Sequence, residues 1–306
     1  MSHGGLDEES HRKYVYESVD KEAERLRTLN EIYNDNTIAH LRPLISRKSK
    51  VLEIGPGIGL LGIQICKLLS EPSLYCAIDQ DLGQVARAKE NFSNAGLSPE
   101  CIVHASVLDL GTIPKLSTEK FDLIFCRWVM AHISADKRQE VIKALYERLS
   151  PGGSLVCEEG DVSCTTLKSK KDLEGSVSKR AFDTWYAFSF ALEKLFPLNL
   201  RLGSDMTELL RDYTKQEPRV SIFQPKLALP EEKIMLSYAI ASTRLAMKQV
   251  IENGLLPSLT DEAGKTLEDD LITLANDSDV TINYIKNYIT VVTKPLSPDE
   301  TLDPAG

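Results

Sequence analysis

From residue 50 onward the chain alternates short apolar runs with longer stretches of helical periodicity, and this alternation constrains its fold more than any other feature. The apolar runs cover residues 51–54, 74–78, 101–104, 121–126 and 154–157, and the helical patterns between them fall at about 59–69, 82–94 and 135–149. Strand–helix–strand repeats of this length build a parallel sheet by right-handed crossovers, with helices on both faces. Beyond residue 160 the rhythm loosens into helices at about 176–195, 204–214, 231–252 and 261–276, with two further β-rich runs at 219–223 and 288–293. The expected architecture is α/β: a doubly wound, seven-stranded, mostly parallel sheet closed by those last two runs. A helical segment is expected over residues 1–49, the sheet core over 50–165, and helical cap insertions plus the last two strands over 166–306. Within the first segment Leu26, Leu29, Ile32, Tyr33, Ile38 and Leu41 recur at helical spacing, and Asn34-Asp35-Asn36 predicts a break between two helices.

Charge narrows the partners. With 36 Lys and Arg against 45 Asp and Glu the net charge is −9, which disfavours nucleic acid because phosphate neutralisation needs a positive face. No apolar run approaches the roughly 18 residues that cross a bilayer, so no membrane association is expected. The start, Met1-Ser-His-Gly-Gly-Leu, lacks a basic segment followed by an apolar one, and a cytoplasmic location is the expectation. Of the six cysteines no two form a C-x-x-C pair, and four fall in or beside strand-like runs, which reads as reduced core residues with no metal site.

The sharpest local signal is Val51-Leu-Glu53-Ile-Gly55-Pro56-Gly57-Ile-Gly59-Leu-Leu-Gly62, where a strand ends, three glycines alternate and a helix begins. Glycine permits positive φ and lets a ligand approach the backbone, and the helix start offers unpaired N–H groups. Gly57-x-Gly59-x-x-Gly62 spells the dinucleotide fingerprint, but in that register Glu53 sits inside the strand, a poor neighbour for a pyrophosphate.

Glu53-x-Gly55-x-Gly57-x-Gly59 resembles the first motif of class I S-adenosylmethionine-dependent methyltransferases, whose Rossmann-like fold agrees with the architecture above. The resemblance implies S-adenosyl-L-methionine as cofactor, with Glu53 beside its cationic methionine end and Gly55, Pro56, Gly57 and Gly59 along its adenosyl part. Asp79-Gln80, ending the second strand, matches the position that binds the ribose hydroxyls. His104-Ala-Ser106-Val107 occupies the adenine-binding stretch; related sequences carry Asp where this chain has Ser106, so the adenine contacts fall to the Ser106 hydroxyl and the Val107 N–H. Phe121-Asp-Leu-Ile-Phe-Cys-Arg127-Trp128-Val-Met-Ala-His132 is similar to the fourth motif and places Arg127 and Trp128 within reach of the methionine part. Leu149-Ser-Pro-Gly-Gly matches the turn before the fifth strand. Tyr14 is similar to residues of the N-terminal helices that fold over the cofactor.

His132 is the catalytic candidate, a general base near the carboxyl end of the fourth strand able to titrate near neutral pH. Glu158 and Asp161 follow the fifth strand and are candidates for orienting an acceptor or for capping. The function expected is methyl transfer to O, N or C of a small-molecule acceptor. A protein or peptide methyltransferase, a catalytically silent cofactor binder and a nicotinamide oxidoreductase are the alternatives; the acceptor and the oligomeric state are not legible.

Overall fold

The computed structural model describes residues 20–109, 116 and 118–296. In chain order its elements are α1 (Asp20–Leu41), β1 (Val51–Ile54), α2 (Leu60–Cys66), β2 (Tyr75–Asp79), α3 (Leu82–Asn94), β3 (Ile102–His104), β4 (Phe121–Arg127), α4 (Ala135–Glu147) and β5 (Leu149–Asp161). There follow β6 (Thr166–Ser169), α5 (Val177–Ala191), α6 (Leu202–Thr214), β7 (Arg219–Phe223), β8 (Lys226–Leu227), α7 (Pro230–Lys233) and α8 (Met235–Ala241). The chain continues through α9 (Arg244–Glu252), α10 (Asp261–Asn276), β9 (Val280–Asn283) and β10 (Lys286–Thr293).

These elements fall into two compact units. One comprises Leu29–Thr165, Arg201–Pro225 and the chain from Tyr284, and it contains a seven-stranded sheet of order β3-β2-β1-β4-β5-β10-β7. Strands β1 to β5 pair in parallel, and β10 runs antiparallel to both β5 and β7. The two runs expected to close the sheet do so. All four residues of β1 are buried, as a central strand covered on both faces requires. Val51 of β1 packs in one core cluster with Tyr75, Ala77, Phe92, Phe125 and Val156, none more than 1% exposed, and Leu52 and Ile54 are buried as well. The strand order reverses at β1, with β2 on one side and β4 on the other, so a crevice opens beyond their carboxyl ends.

The other unit takes its described residues from the chain up to Thr28, Thr166–Leu200 and Lys226–Asn283. Besides helices it holds a three-stranded antiparallel sheet, β6-β9-β8, where the sequence suggested helices alone. Strand β6 escaped notice because Thr166-Leu-Lys-Ser carries one apolar residue in four and is mostly exposed. The stretch expected as one helix at 231–252 is three short ones, α7, α8 and α9. Lys233 of α7 is fully buried, its ammonium donating to the carbonyls of Asp277 and Val280 at 2.7 and 3.0 Å.

The break expected near Asn34 is absent: α1 is continuous from Asp20 to Leu41. Asparagine costs a helix only about 0.7 kcal/mol relative to Ala. Here Tyr33, Asn34 and Thr37 are buried and committed to tertiary hydrogen bonds, which overrides that preference. Tyr14 lies outside the described residues. No described helix is long and apolar enough to cross a membrane.

Candidate active site

The crevice is built first by the turn after β1. Gly55, Gly57 and Gly59 have φ of +66°, +56° and +77°, a run of left-handed residues that side chains would resist. Gly55 also has no room: a Cβ there would stand 2.5 Å from the Val129 side chain. The turn is held by the Gly55 N–H donating to the Ile78 carbonyl at 2.8 Å, and Gly59 caps α2. Gly62, one turn into α2, leaves space for the Tyr75 hydroxyl, which a Cβ would meet at 2.2 Å.

That hydroxyl explains how Glu53 is held. Tyr75 donates to Glu53 Oε2 at 2.5 Å while its ring stacks on Phe92. Glu53 is 3% exposed, and burial pushes its carboxyl up to about 7, against the opposing pull of the Tyr75 hydrogen bond and of the Arg127 charge. A carboxylate so situated lacks a full counter-charge. It gains most from a cationic ligand.

Asp79, at the end of β2, receives the Gly57 N–H on Oδ2 at 3.2 Å and the Asp81 N–H on Oδ1 at 2.9 Å. Each oxygen keeps a lone pair for a ligand, and burial raises this carboxyl to about 6. Asp81 in turn caps α3 through the Gln84 N–H. Beside it the Ala105 N–H donates to the Asp79 carbonyl, which joins the ends of β2 and β3. Ser106 is half-buried, its hydroxyl accepting from the Leu108 N–H at 3.2 Å, and Val107 opens a 3-10 turn over Val107–Asp109. Gln80 is exposed, and its carbonyl accepts from the His104 ring. Leu82, which opens α3 after β2, and Leu108, in the 3-10 turn after β3, are 66% and 53% exposed. Exposed leucines just past adjacent strand ends suit the faces of a planar base, and isolated leucines leave no pattern by which a sequence would show them.

The third wall follows β4. Arg127 donates to Asn34 Oδ1 at 2.9 Å and to Asn30 Oδ1 at 3.0 Å, both on α1. Thr37 donates to the buried Glu158 carboxylate at 2.9 Å, Asn287 binds Glu158 as well, and the Trp128 indole N–H reaches Asn287 Oδ1 at 3.0 Å. Trp128 has φ +54°, its N–H donating to the Glu158 carbonyl and its ring edge-on to Tyr33. Arg127 and Trp128 thus direct their side chains into a network with α1 and β10. Glu158 belongs to that network, and Asp161 caps the 3-10 turn Val162–Cys164. A cleft of about 300 Å³ opens between α1 and α2, lined in part by Asn30, Asn34, Leu60, Ile63 and Lys67. A larger open hollow of about 580 Å³, with Lys48, Lys50 and Lys120 on its wall, lies at the amino ends of β1 and β4, away from the crevice.

Glu159 was not singled out by the sequence, yet it organises the turn that carries His132. Its carboxylate accepts the N–H groups of Val129, Met130 and Ala131 at 3.0, 2.8 and 3.3 Å. Burial raises it to about 8, against the pull of those three N–H groups. His132 closes the 3-10 turn Met130–His132 and is half-buried. Glu159 is one residue from Glu158, and only side-chain direction separates their partners.

A buried carboxylate, a left-handed glycine turn and a second carboxylate ending the neighbouring strand all lie at the switch point of a sheet with one antiparallel strand next to its edge. Residues 51–153 match the family described as "Methyltransferase domain". The fold is similar to that of a candidate methyltransferase from Bacillus halodurans (TM-score 0.52, 14% identity, 85% of this chain and 99% of that one). It is also similar to YcgJ of Bacillus subtilis (TM-score 0.53, 13% identity, 86% and 100% covered). Among curated proteins, carboxy-S-adenosyl-L-methionine synthase of Trichodesmium erythraeum is 24% identical over 112 residues, 37% of this chain and 42% of that one. The Shewanella piezotolerans protein of the same name is 27% identical over 126 residues, 40% and 50% of the two chains. The match thus spans about half the length of these relatives. Over residues 51–153 the chain thus carries a methyltransferase domain, within a fold shared with these two structures.

Proposed function

We propose that this protein transfers the methyl group of S-adenosyl-L-methionine to O, N or C of a small-molecule acceptor by in-line displacement. The observation that carries the reading is Glu53: a carboxylate 3% exposed, held by Tyr75 at the mouth of a left-handed glycine turn, where a cation is the ligand that compensates it. The residues fit the cofactor. Glu53 would hold its ammonium, Asp79 the ribose hydroxyls, Ser106 and the Val107 N–H the adenine, with Gly55, Pro56, Gly57, Gly59 and Gln80 along the nucleoside. Arg127 and Trp128 bound the methionine side. The cofactor supplies a methyl group already activated by a cationic sulfur, so the protein's part is alignment and exclusion of water.

His132 is proposed as the base that takes the acceptor's proton, on a turn whose geometry Glu159 fixes. An acceptor deprotonated in solution would not need it. The test is calorimetry with S-adenosylmethionine followed by transfer of labelled methyl into metabolite fractions. Binding with label in a small molecule supports the reading; tight NAD binding with none of S-adenosylmethionine overturns it. Label in protein, or binding with no transfer, would replace the acceptor class or the catalytic role.

A further inference from the structure

Gln84 Oε1 is buried without a hydrogen-bond partner in a residue 4% exposed. An unmet buried carbonyl costs free energy, so its retention calls for an explanation. Its position supplies one. Gln84, Ala88 and Phe92 are buried at four-residue spacing on one face of α3. That face meets the glycine turn: a Cβ on Gly59 would stand 3.1 Å from both Ala88 and Phe92, and the Asn91 amide donates to the Ile58 carbonyl at 2.8 Å. Gln84 stands one turn closer to the start of the helix, hence nearer the carboxyl ends of β1 and β2. Its own N–H is capped by Asp81, whose N–H in turn binds Asp79. The orphaned oxygen therefore belongs to the helix face that packs on the glycine turn, on a residue linked through Asp81 to Asp79.

We infer that Gln84 is a nucleoside-reading residue: its side-chain carbonyl accepts a hydrogen bond from a ribose hydroxyl of the ligand that Asp79 holds. The inference rests on the cofactor reading above. Asp79 spends one lone pair of each oxygen on the Gly57 and Asp81 N–H groups, and Gln84 adds a neutral acceptor beside them. A neutral acceptor suits a hydroxyl without adding to the carboxylate charge already buried in Glu53.

The test uses full-length protein, S-adenosylhomocysteine and its 2′-deoxy and 3′-deoxy analogues, read by calorimetry and by thermal unfolding of the protein without ligand. Gln84→Met keeps length and volume but removes the acceptor. It is expected to weaken S-adenosylhomocysteine about three- to tenfold, the worth of one net hydrogen bond. The weakening should vanish for one of the two deoxy analogues, and loss of the oxygen itself should cost the ligand-free protein nothing, since that oxygen makes no native bond. Gln84→Ala gives the same ligand comparison should the Met variant fail to fold. Unchanged affinity for S-adenosylhomocysteine, or a loss that persists with both deoxy analogues, overturns the inference. If wild type binds and only the variant result fails, the cofactor reading stands; if wild type does not bind, both fall.

Discussion

Gly55→Ala separates two costs that the glycine turn imposes. The first is conformational: φ is +66°, and a left-handed L-residue costs roughly 1–2 kcal/mol, offset by about 0.4–1 kcal/mol from a stiffer unfolded chain. The second is steric: the new Cβ would lie 2.5 Å from Val129 Cγ2, about 1 Å inside the usual carbon–carbon contact, and overpacking of that kind costs about 1–3 kcal/mol. Val129 cannot simply retreat, because its N–H is bound by Glu159. Gly96→Ala is the control: φ there is +72° and nothing lies within 4 Å, so only the first cost applies. Urea unfolding should then show Gly55→Ala destabilised by about 1–3 kcal/mol more than Gly96→Ala. In the cycle with Val129→Ala, the double variant should recover most of that excess. Equal destabilisation of the two glycine variants, or a cycle with no coupling, would refute the packing argument. The same Gly55→Ala protein should bind S-adenosylmethionine poorly, because the turn and the Val129 loop shape one crevice.

Other consequences are as direct. Tyr75→Phe removes the bond that lowers the Glu53 carboxyl, so half-maximal cofactor affinity should move to higher pH in calorimetric titrations. Because Glu53 sits at about 7, cofactor binding at pH 7 should release about half a proton, read from heats in buffers of different ionisation enthalpy. Glu53, Asp79 and Glu159 are raised to about 7, 6 and 8, so the folded chain holds protons that the unfolded chain has lost. The stability these three groups contribute to the ligand-free protein is therefore fully present below about pH 4 and declines as pH rises through 8, which urea midpoints of wild type against Glu159→Gln across that range would check. Glu159→Gln keeps one oxygen to accept the Val129 and Met130 N–H groups but turns an amide donor toward the Ala131 N–H, and should cost about 1–3 kcal/mol in unfolding free energy, with a loss of turnover exceeding any loss of cofactor affinity.

What the sequence revealed was what is local. Glu53 and its three glycines follow one another in a strand, a turn and a helix start, and each leaves its signature within seven residues. The sheet was legible for the same reason: buried parallel strands are short apolar runs wherever they occur. What escaped is what the fold brings together. Arg127 meets Asn30 and Asn34 more than ninety residues away, and Asn34, read with Asp35 and Asn36, predicts a helix break rather than a partner for a guanidinium. Glu158 and Asp161 attracted notice as site candidates, whereas Glu159, between them, holds the loop; neighbours on a strand point to opposite faces, and the sequence does not say which face is which. Strand β6 has Leu167 as its single apolar residue and carries no periodic signal.

A crystal structure with S-adenosylhomocysteine tests the assignment most directly. The ligand's ammonium should lie against Glu53, its ribose against Asp79 and its base between Leu82 and Leu108. A crevice that stays empty at saturating ligand, or that takes a diphosphate at the glycine turn, would contradict it.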